Sequence, residues 1–104
     1  MQPLTGSQAK YLRGIAHRLK PVVFVGQKGI SASLLASLQE ALSAHELIKV
    51  RFVDLKDRQT KAECLAEIER RADCRLAGLI GHTAILYRPH PDPEKRKIVL
   101  PAKR

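Results

Sequence analysis

The sequence has 104 residues, 44% of them hydrophobic, and a formal net charge of +9 with a pI near 10.1. This length suits one small domain with its own core, and the apolar content excludes a largely disordered chain. No apolar run approaches the roughly 18 residues that a membrane span requires, and the first ten residues lack the apolar centre of a signal peptide. We therefore predict a cytoplasmic protein with no membrane partner.

The charge is unevenly distributed along the chain. Nineteen Lys and Arg residues stand against ten Asp and Glu residues, and no acidic residue precedes Glu40. A strongly basic protein favours a polyanionic partner, and nucleic acid is the common one. The alternative is that the excess charge serves only solubility.

The first predicted element is a helix from Ser7 to Lys20, capped by Thr5 or Ser7. Its apolar residues recur at helical spacing and form the predicted buried stripe: Tyr11, Leu12, Ile15, Ala16 and Leu19. Four cationic or titratable residues fall within an arc of roughly 80° opposite that stripe: Lys10, Arg13, His17 and Lys20. A solvated helix face usually carries acids for pairing at i,i+4, and this face has none.

Pro21 ends the first helix, and Val22 to Val25 predict a short strand that is buried on both faces. Ser31 or Ser33 can cap a second helix that ends near His45. A second strand, Leu47 to Val53, alternates: Ile48, Val50 and Phe52 lie on one face, and Lys49, Arg51 and Val53 lie on the other.

The remainder predicts a helix and a hairpin. Asp57 or Thr60 can start the third helix. Arg75 to Ile80 and Thr83 to Tyr87 predict two strands joined at Gly81-His82. The predicted fold class is therefore α/β: a single compact domain in the order α-β-α-β-α-β-β with a small four-stranded mixed sheet. Residues 88–104 form a basic, proline-containing tail with an extended course, and its apolar triplet at 98–100 is a candidate for docking on the body.

The turn Gly26-Gln27-Lys28-Gly29 joins the first strand to the second helix. Two glycines let backbone amides approach a ligand, the following helix directs its free N–H groups to the same place, and Lys28 adds a charge. The turn therefore predicts a phosphate cradle. It lacks the spacing of a nucleotide P-loop or a dinucleotide fingerprint. The G-x-x-G pattern is weak alone, because a tight structural turn also produces it and residues 78–81 repeat it within the predicted hairpin.

No catalytic or metal-binding pattern is recognisable. The four histidines are scattered, and Cys64 and Cys74 lack partners at zinc-ligand spacing, so we predict no enzyme, no metal and no cofactor. The few aromatic residues, two of them assigned to the core, favour recognition of nucleic-acid backbone and shape over stacking on bases. A phosphate-handling enzyme, a DNA or membrane binder and a protein-interaction module remain alternatives. A monomer is predicted because no surplus apolar stripe remains.

Four blocks of the sequence, HRLKPVVFVGQKGI, HELIKVRF, IGHTAILYRP and KIVLP, resemble the CRM domain family of RNA-binding proteins and its stand-alone bacterial YhbY-like members. The resemblance covers essentially the whole chain. It implies a fold similar to the C-terminal domain of translation initiation factor three, an RNA-binding loop at Gly26 to Gly29, and association with ribosomal RNA in precursors of the large ribosomal subunit. An RNA chaperone or general nucleic-acid-binding module without ribosome specificity is the alternative. The predicted RNA-binding residues are Lys10, Arg13, His17, Lys20, Gly26, Gln27, Lys28 and Gly29, with longer-range attraction from Arg51, Arg88 and Lys95 to Lys97.

Overall fold

The computed structural model describes residues 1–55 and 57–102 and confirms the predicted α/β fold. The elements follow the predicted order, and a short 3-10 helix, Pro93–Lys95, lies in the tail. The helices and strands are α1 (Gly6–Ala16), β1 (Pro21–Val25), α2 (Ala32–His45), β2 (Leu47–Phe52), α3 (Arg58–Ala72), β3 (Arg75–Ile80) and β4 (Thr83–Tyr87).

The four strands form one mixed sheet in the order β1-β2-β4-β3. β1 and β2 are parallel because the helix α2 returns the chain across the sheet, and β3 and β4 form an antiparallel hairpin. The hairpin turn is Gly81-His82 as predicted, with Gly81 at φ 61°, a conformation that favours glycine. β1 and β3 are therefore the two edges of the sheet.

The sheet has a separate apolar core on each face. On one face α2 and α3 cover side chains from β1, β2 and β4, including Val25, Val50 and Leu86. On the other face α1 packs across β2, β4 and β3, with Leu12 and Ala16 against Ile85 and Tyr87. This arrangement leaves β1 uncovered on the α1 side.

The start of each helix is capped by a side chain. Thr5 and Gln8 form a reciprocal capping box at α1, and Ser31 Oγ accepts the backbone amide of Leu34 at α2. Asp57 caps α3, so the first of the two predicted starts is the correct one. Hydrogen bonds from the hydroxyl and the amide of Thr60 lower the pKa of the Asp57 carboxyl.

The prediction for the first helix was wrong at its C-terminal end and in part of its buried stripe. α1 ends at Ala16, because the residue before Pro21 disfavours helical backbone and the chain needs a few residues to turn into β1. Tyr11, Ile15 and Leu19 are exposed by 45%, 36% and 38%. Only the Leu12 and Ala16 positions of the predicted stripe face the sheet.

The prediction that β1 is buried on both faces was also wrong. Val23 and Val25 are buried, whereas Val22 and Phe24 are 50% and 57% exposed. The cause is the position of β1 at a sheet edge, where α2 covers one face and α1 does not reach the other. An aromatic ring assigned to the core therefore lies at the surface.

The tail is held to the body by Glu46, a buried residue between α2 and β2. Its carboxylate accepts the backbone amides of His90 at 2.7 Å, Lys97 at 2.6 Å and Ile98 at 3.2 Å, and its carbonyl accepts the Arg88 amide at 2.8 Å. Ile98 and Leu100 pack against the core on the α1 side of the sheet, so two residues of the predicted apolar triplet dock on the body, whereas Val99 is 80% exposed.

The two cysteines are free and buried. Burial raises the pKa of the Cys74 thiol to about 12, with a smaller contribution from the charge of Glu69, and burial also raises the pKa of Cys64. Both thiols therefore stay protonated at neutral pH, which makes them weak nucleophiles.

Among the helices of the described residues, none is long and apolar enough to cross a bilayer.

Candidate nucleic-acid interface

The loop that joins β1 to α2 lies at the surface. Gly26, Gln27 and Lys28 are exposed, and Gly29 is half-buried. The amide of Gly29 donates to the carbonyl of Gly26 at 3.0 Å, which closes a tight turn. Gly29 has φ 68°, so the turn needs glycine at that position.

Gly26 has a different reason to be glycine. Its φ is outside the left-handed region, and a Cβ built on it meets no protein atom within 4 Å. Neither backbone strain nor packing within the described part of the chain therefore demands glycine here. A glycine at this exposed position lets a ligand approach the backbone closely.

The loop also presents unused hydrogen-bond donors. Within residues 1–55 and 57–102, the backbone amides of Gln27, Lys28 and Ser33 have no acceptor. Ser33 belongs to the first turn of α2, where orphan N–H groups carry the positive end of the helix dipole. Donors and dipole together favour an anion beside Lys28.

A shallow concavity contains the loop and its neighbours. Gly26, Gln27, Lys28 and Gly29 line it together with Val22 and Phe24 from β1, the capping residue Ser31, and Ser33 and Ser37 from α2. The four predicted loop residues are therefore brought together, and the serines add hydroxyl groups that can donate to phosphate oxygens.

The four predicted residues of the first helix are not brought to this concavity. Lys10 lies on the outer side of α1, in a groove with Tyr11 and Pro101. His17 and Lys20 follow the end of α1, so the continuous cationic arc predicted from helical periodicity does not form. Lys20 lies in a third groove, which shares Val22 with the concavity of the loop.

Arg13 is turned towards the sheet. Its guanidinium donates to the Ala77 carbonyl of β3 at 2.8 Å, and its side chain crosses Gly78, where a Cβ would come within 2.6 Å of Arg13 Cδ. The second G-x-x-G segment therefore has a structural explanation: Gly78 makes room for Arg13, and Gly81 forms the hairpin turn. Arg88 is also engaged within the body, with hydrogen bonds to the Ala72 carbonyl at 2.9 Å and to Ser43 Oγ at 3.0 Å.

Two surface residues near the loop were missed by the sequence reasoning or given a minor role. Phe24 was assigned to the core, and Arg51 was assigned only a long-range attraction. The alternation of β2 does place Arg51 opposite the buried Val50 and Phe52, but no local signal shows that β1 is an uncovered edge.

In the described part of the chain, no group of three or more His, Cys, Asp or Glu side chains is placed to hold a metal ion.

The sequence model of the CRS1/YhbY (CRM) domain family matches residues 4–88 of the chain. The chain belongs to the CRM domain family. It is 41% identical to an RNA-binding protein of Haemophilus influenzae, covering 99% of this chain and 100% of the relative. It is 39% identical to a probable RNA-binding protein of Pseudomonas aeruginosa, and the match covers 88% of each chain. It is 37% identical to a probable RNA-binding protein of Bacillus subtilis, and that match covers 94% of this chain and 99% of the relative.

The fold is also similar to a solved structure. The solution structure of a Staphylococcus aureus protein, described as a candidate RNA-binding protein, superposes with a TM-score of 0.80 at 30% identity. The match covers 94% of this chain and 99% of the other. None of these relatives is described by its name as an enzyme.

Proposed function

We propose that this protein binds RNA, and that the Gly26-Gln27-Lys28-Gly29 loop holds the sugar-phosphate backbone. The observation that carries the proposal is the exposed loop itself, with unused amides, an unhindered Gly26 and the Lys28 cation at the start of α2. Membership of a family whose relatives are named as RNA-binding proteins selects RNA among the polyanions. The role is binding rather than catalysis.

Electrostatics extends the proposed interface beyond the loop. Lys20 lies in a groove that shares Val22 with the loop's concavity, and Lys10 on α1 and His17 at its C-terminal end are also exposed. Arg13 supports the interface by fixing α1 to β3 through Ala77. Backbone contacts of this kind give affinity and orientation with little sequence information.

The salt dependence of binding tests the loop. If about five phosphates are neutralised, the logarithm of the association constant for single-stranded RNA should fall against the logarithm of salt concentration with a slope near −3.5. Lys28→Ala should reduce the magnitude of that slope by about 0.7, because one phosphate contact is lost. Fluorescence anisotropy of a labelled single-stranded oligonucleotide, measured from low to moderate salt, gives both slopes.

Arg70→Ala is the matched control for that measurement. It removes the same charge from an exposed position on α3, where Arg70 Nη2 lies 3.8 Å from the Glu67 carboxylate. The control should keep the original slope. An unchanged slope in Lys28→Ala would take the loop out of the interface.

The RNA that we propose is ribosomal RNA in precursors of the large ribosomal subunit, bound by a monomer. The support is the resemblance of the four sequence blocks to YhbY-like proteins. Gradient sedimentation of cell extract, probed for this protein, should place it with immature large subunits and should lose it from those fractions in the Lys28→Ala variant. Migration only with free RNA would favour a general RNA-binding module.

A further inference from the structure

The face of the sheet that carries α1 is open at the end next to the loop. α1 packs across β2, β4 and β3, and β1 presents Val22 and Phe24 to solvent. Phe24 is 57% exposed, and Val22, two residues earlier on the same face of β1, is 50% exposed, so the two form a contiguous apolar patch. The ring needs an explanation that core packing does not supply.

Phe24 belongs to a row of four cross-strand neighbours on that open face. Phe24 pairs with Arg51, Arg51 pairs with Thr83, and Thr83 pairs with Ile80. Directly paired residues point to the same face, and neighbouring strands lie about 4.8 Å apart. The row is therefore apolar at both ends, cationic in the middle and free of acidic side chains.

Arg51 is available for a ligand. It is exposed, and its guanidinium has no hydrogen bond or ion pair within residues 1–55 and 57–102. A guanidinium next to an aromatic ring can stack on a base or bind a phosphate. Lys49, two residues earlier on the same face of β2, approaches the His17 carbonyl at 3.5 Å and adds a second cation.

The row adjoins the proposed phosphate site. Phe24 precedes Gly26 by two residues, about 6.6 Å along an extended strand, and it lines the same concavity as Gly26 and Lys28. An RNA strand whose phosphate lies at the loop therefore has a neighbouring base within reach of the ring. Bases in a duplex are stacked on each other, so only an unpaired base can use that ring.

We infer that Phe24 and Arg51 form a stacking platform for one unpaired base of the bound RNA, next to the loop that holds the backbone. The cations around the ring and the absence of carboxylates in the row favour a polyanion over a protein partner. The platform rests on the RNA binding proposed above and adds to it a preference for single-stranded RNA. It adds one stacked base to the expected recognition of backbone and shape.

The absence of tryptophan from the sequence allows a direct test. In Phe24→Trp the chain has a single indole at the platform, and stacking of a base should quench its emission during titration with a single-stranded oligonucleotide. Val99→Trp, at a tail position that is 80% exposed, is the matched control and should keep its emission. The same oligonucleotide annealed into a duplex should leave the indole emission of both variants unchanged. Equal quenching by duplex, or none by single strand, would overturn the platform.

Affinity gives an independent measurement. Phe24→Leu keeps an apolar side chain and removes the aromatic face, so binding to single-stranded RNA should weaken about 5- to 150-fold, while binding to duplex should stay unchanged. If Phe24→Leu binds single strands as tightly as the unmodified protein while Lys28→Ala still weakens binding, the platform is wrong and the proposed function stands. If the unmodified protein binds neither form of RNA, the proposed function fails, and the platform fails with it.

Discussion

Replacing Glu46 by alanine should lower the free energy of unfolding by about 3–5 kcal/mol, because each buried amide left without an acceptor costs about 1–3 kcal/mol and water recovers part of the loss. The side chain is 3% exposed, and its two oxygens accept three backbone amides of the tail. Without the carboxylate these amides lose their acceptor, and Ile98 and Leu100 lose the tether that holds them on the core. Urea unfolding at pH 7 gives the free energy of each variant.

Two matched variants separate the causes. Glu40→Ala removes an acidic residue from the exposed surface of α2, the helix that ends just before Glu46, and should change stability by less than about 0.5 kcal/mol. Glu46→Gln keeps one oxygen acceptor, so its free energy of unfolding should lie between those of Glu46→Ala and Glu40→Ala. Hydrogen exchange of the His90, Lys97 and Ile98 amides should accelerate in Glu46→Ala. Stability equal to that of Glu40→Ala would show that the tail is not anchored by this carboxylate.

Gly26→Asp should weaken RNA binding by about 100-fold or more at low salt. The new carboxylate would face the RNA phosphates, and like charges in contact cost several kcal/mol. The fold should tolerate the change, since a Cβ at Gly26 meets no atom of residues 1–55 and 57–102 within 4 Å and the φ of Gly26 is not positive. Anisotropy titrations with single-stranded RNA measure the affinity, and thermal unfolding checks the fold.

Gly26→Asn is the control of the same size. It adds nearly the same volume without the charge, so it reports the steric effect alone and should weaken binding far less than aspartate. Raising the salt concentration should narrow the gap between the two variants, because the repulsion is screened. Equal affinity of both variants and the unmodified protein would place the RNA elsewhere on the surface.

The elements of the fold were predictable where the signal is local. Glycine in a two-residue turn between alternating strands identified the hairpin at Gly81-His82, and serine before an apolar periodic run identified the start of α2. The loop at Gly26 to Gly29 was predictable for the same reason, because its glycines and Lys28 are consecutive in the chain. Membership of the CRM family was also accessible from four continuous blocks of sequence.

The surroundings of the loop were not predictable in the same way. Helical periodicity predicted that Arg13 lies on an open cationic face. In the structure its guanidinium donates to the Ala77 carbonyl, and its side chain packs on Gly78 of β3. Sixty-four positions separate Arg13 from Ala77 along the chain, so no local pattern contains this contact. Glu46 is a similar case, because its partners in the tail are 44 or more positions away.

The amino-acid sequence by itself determined the order of helices and strands, the strong positive charge and the exposed glycine loop, since each depends on residues that are neighbours or near neighbours in the chain. Only the tertiary structure decided which side of β1 stays open, and with it the exposure of Phe24 beside Arg51. The physical reason is that a strand carries the same alternation at an edge as in the middle of a sheet. Burial of its second face depends on whether another element, here α1, packs across it.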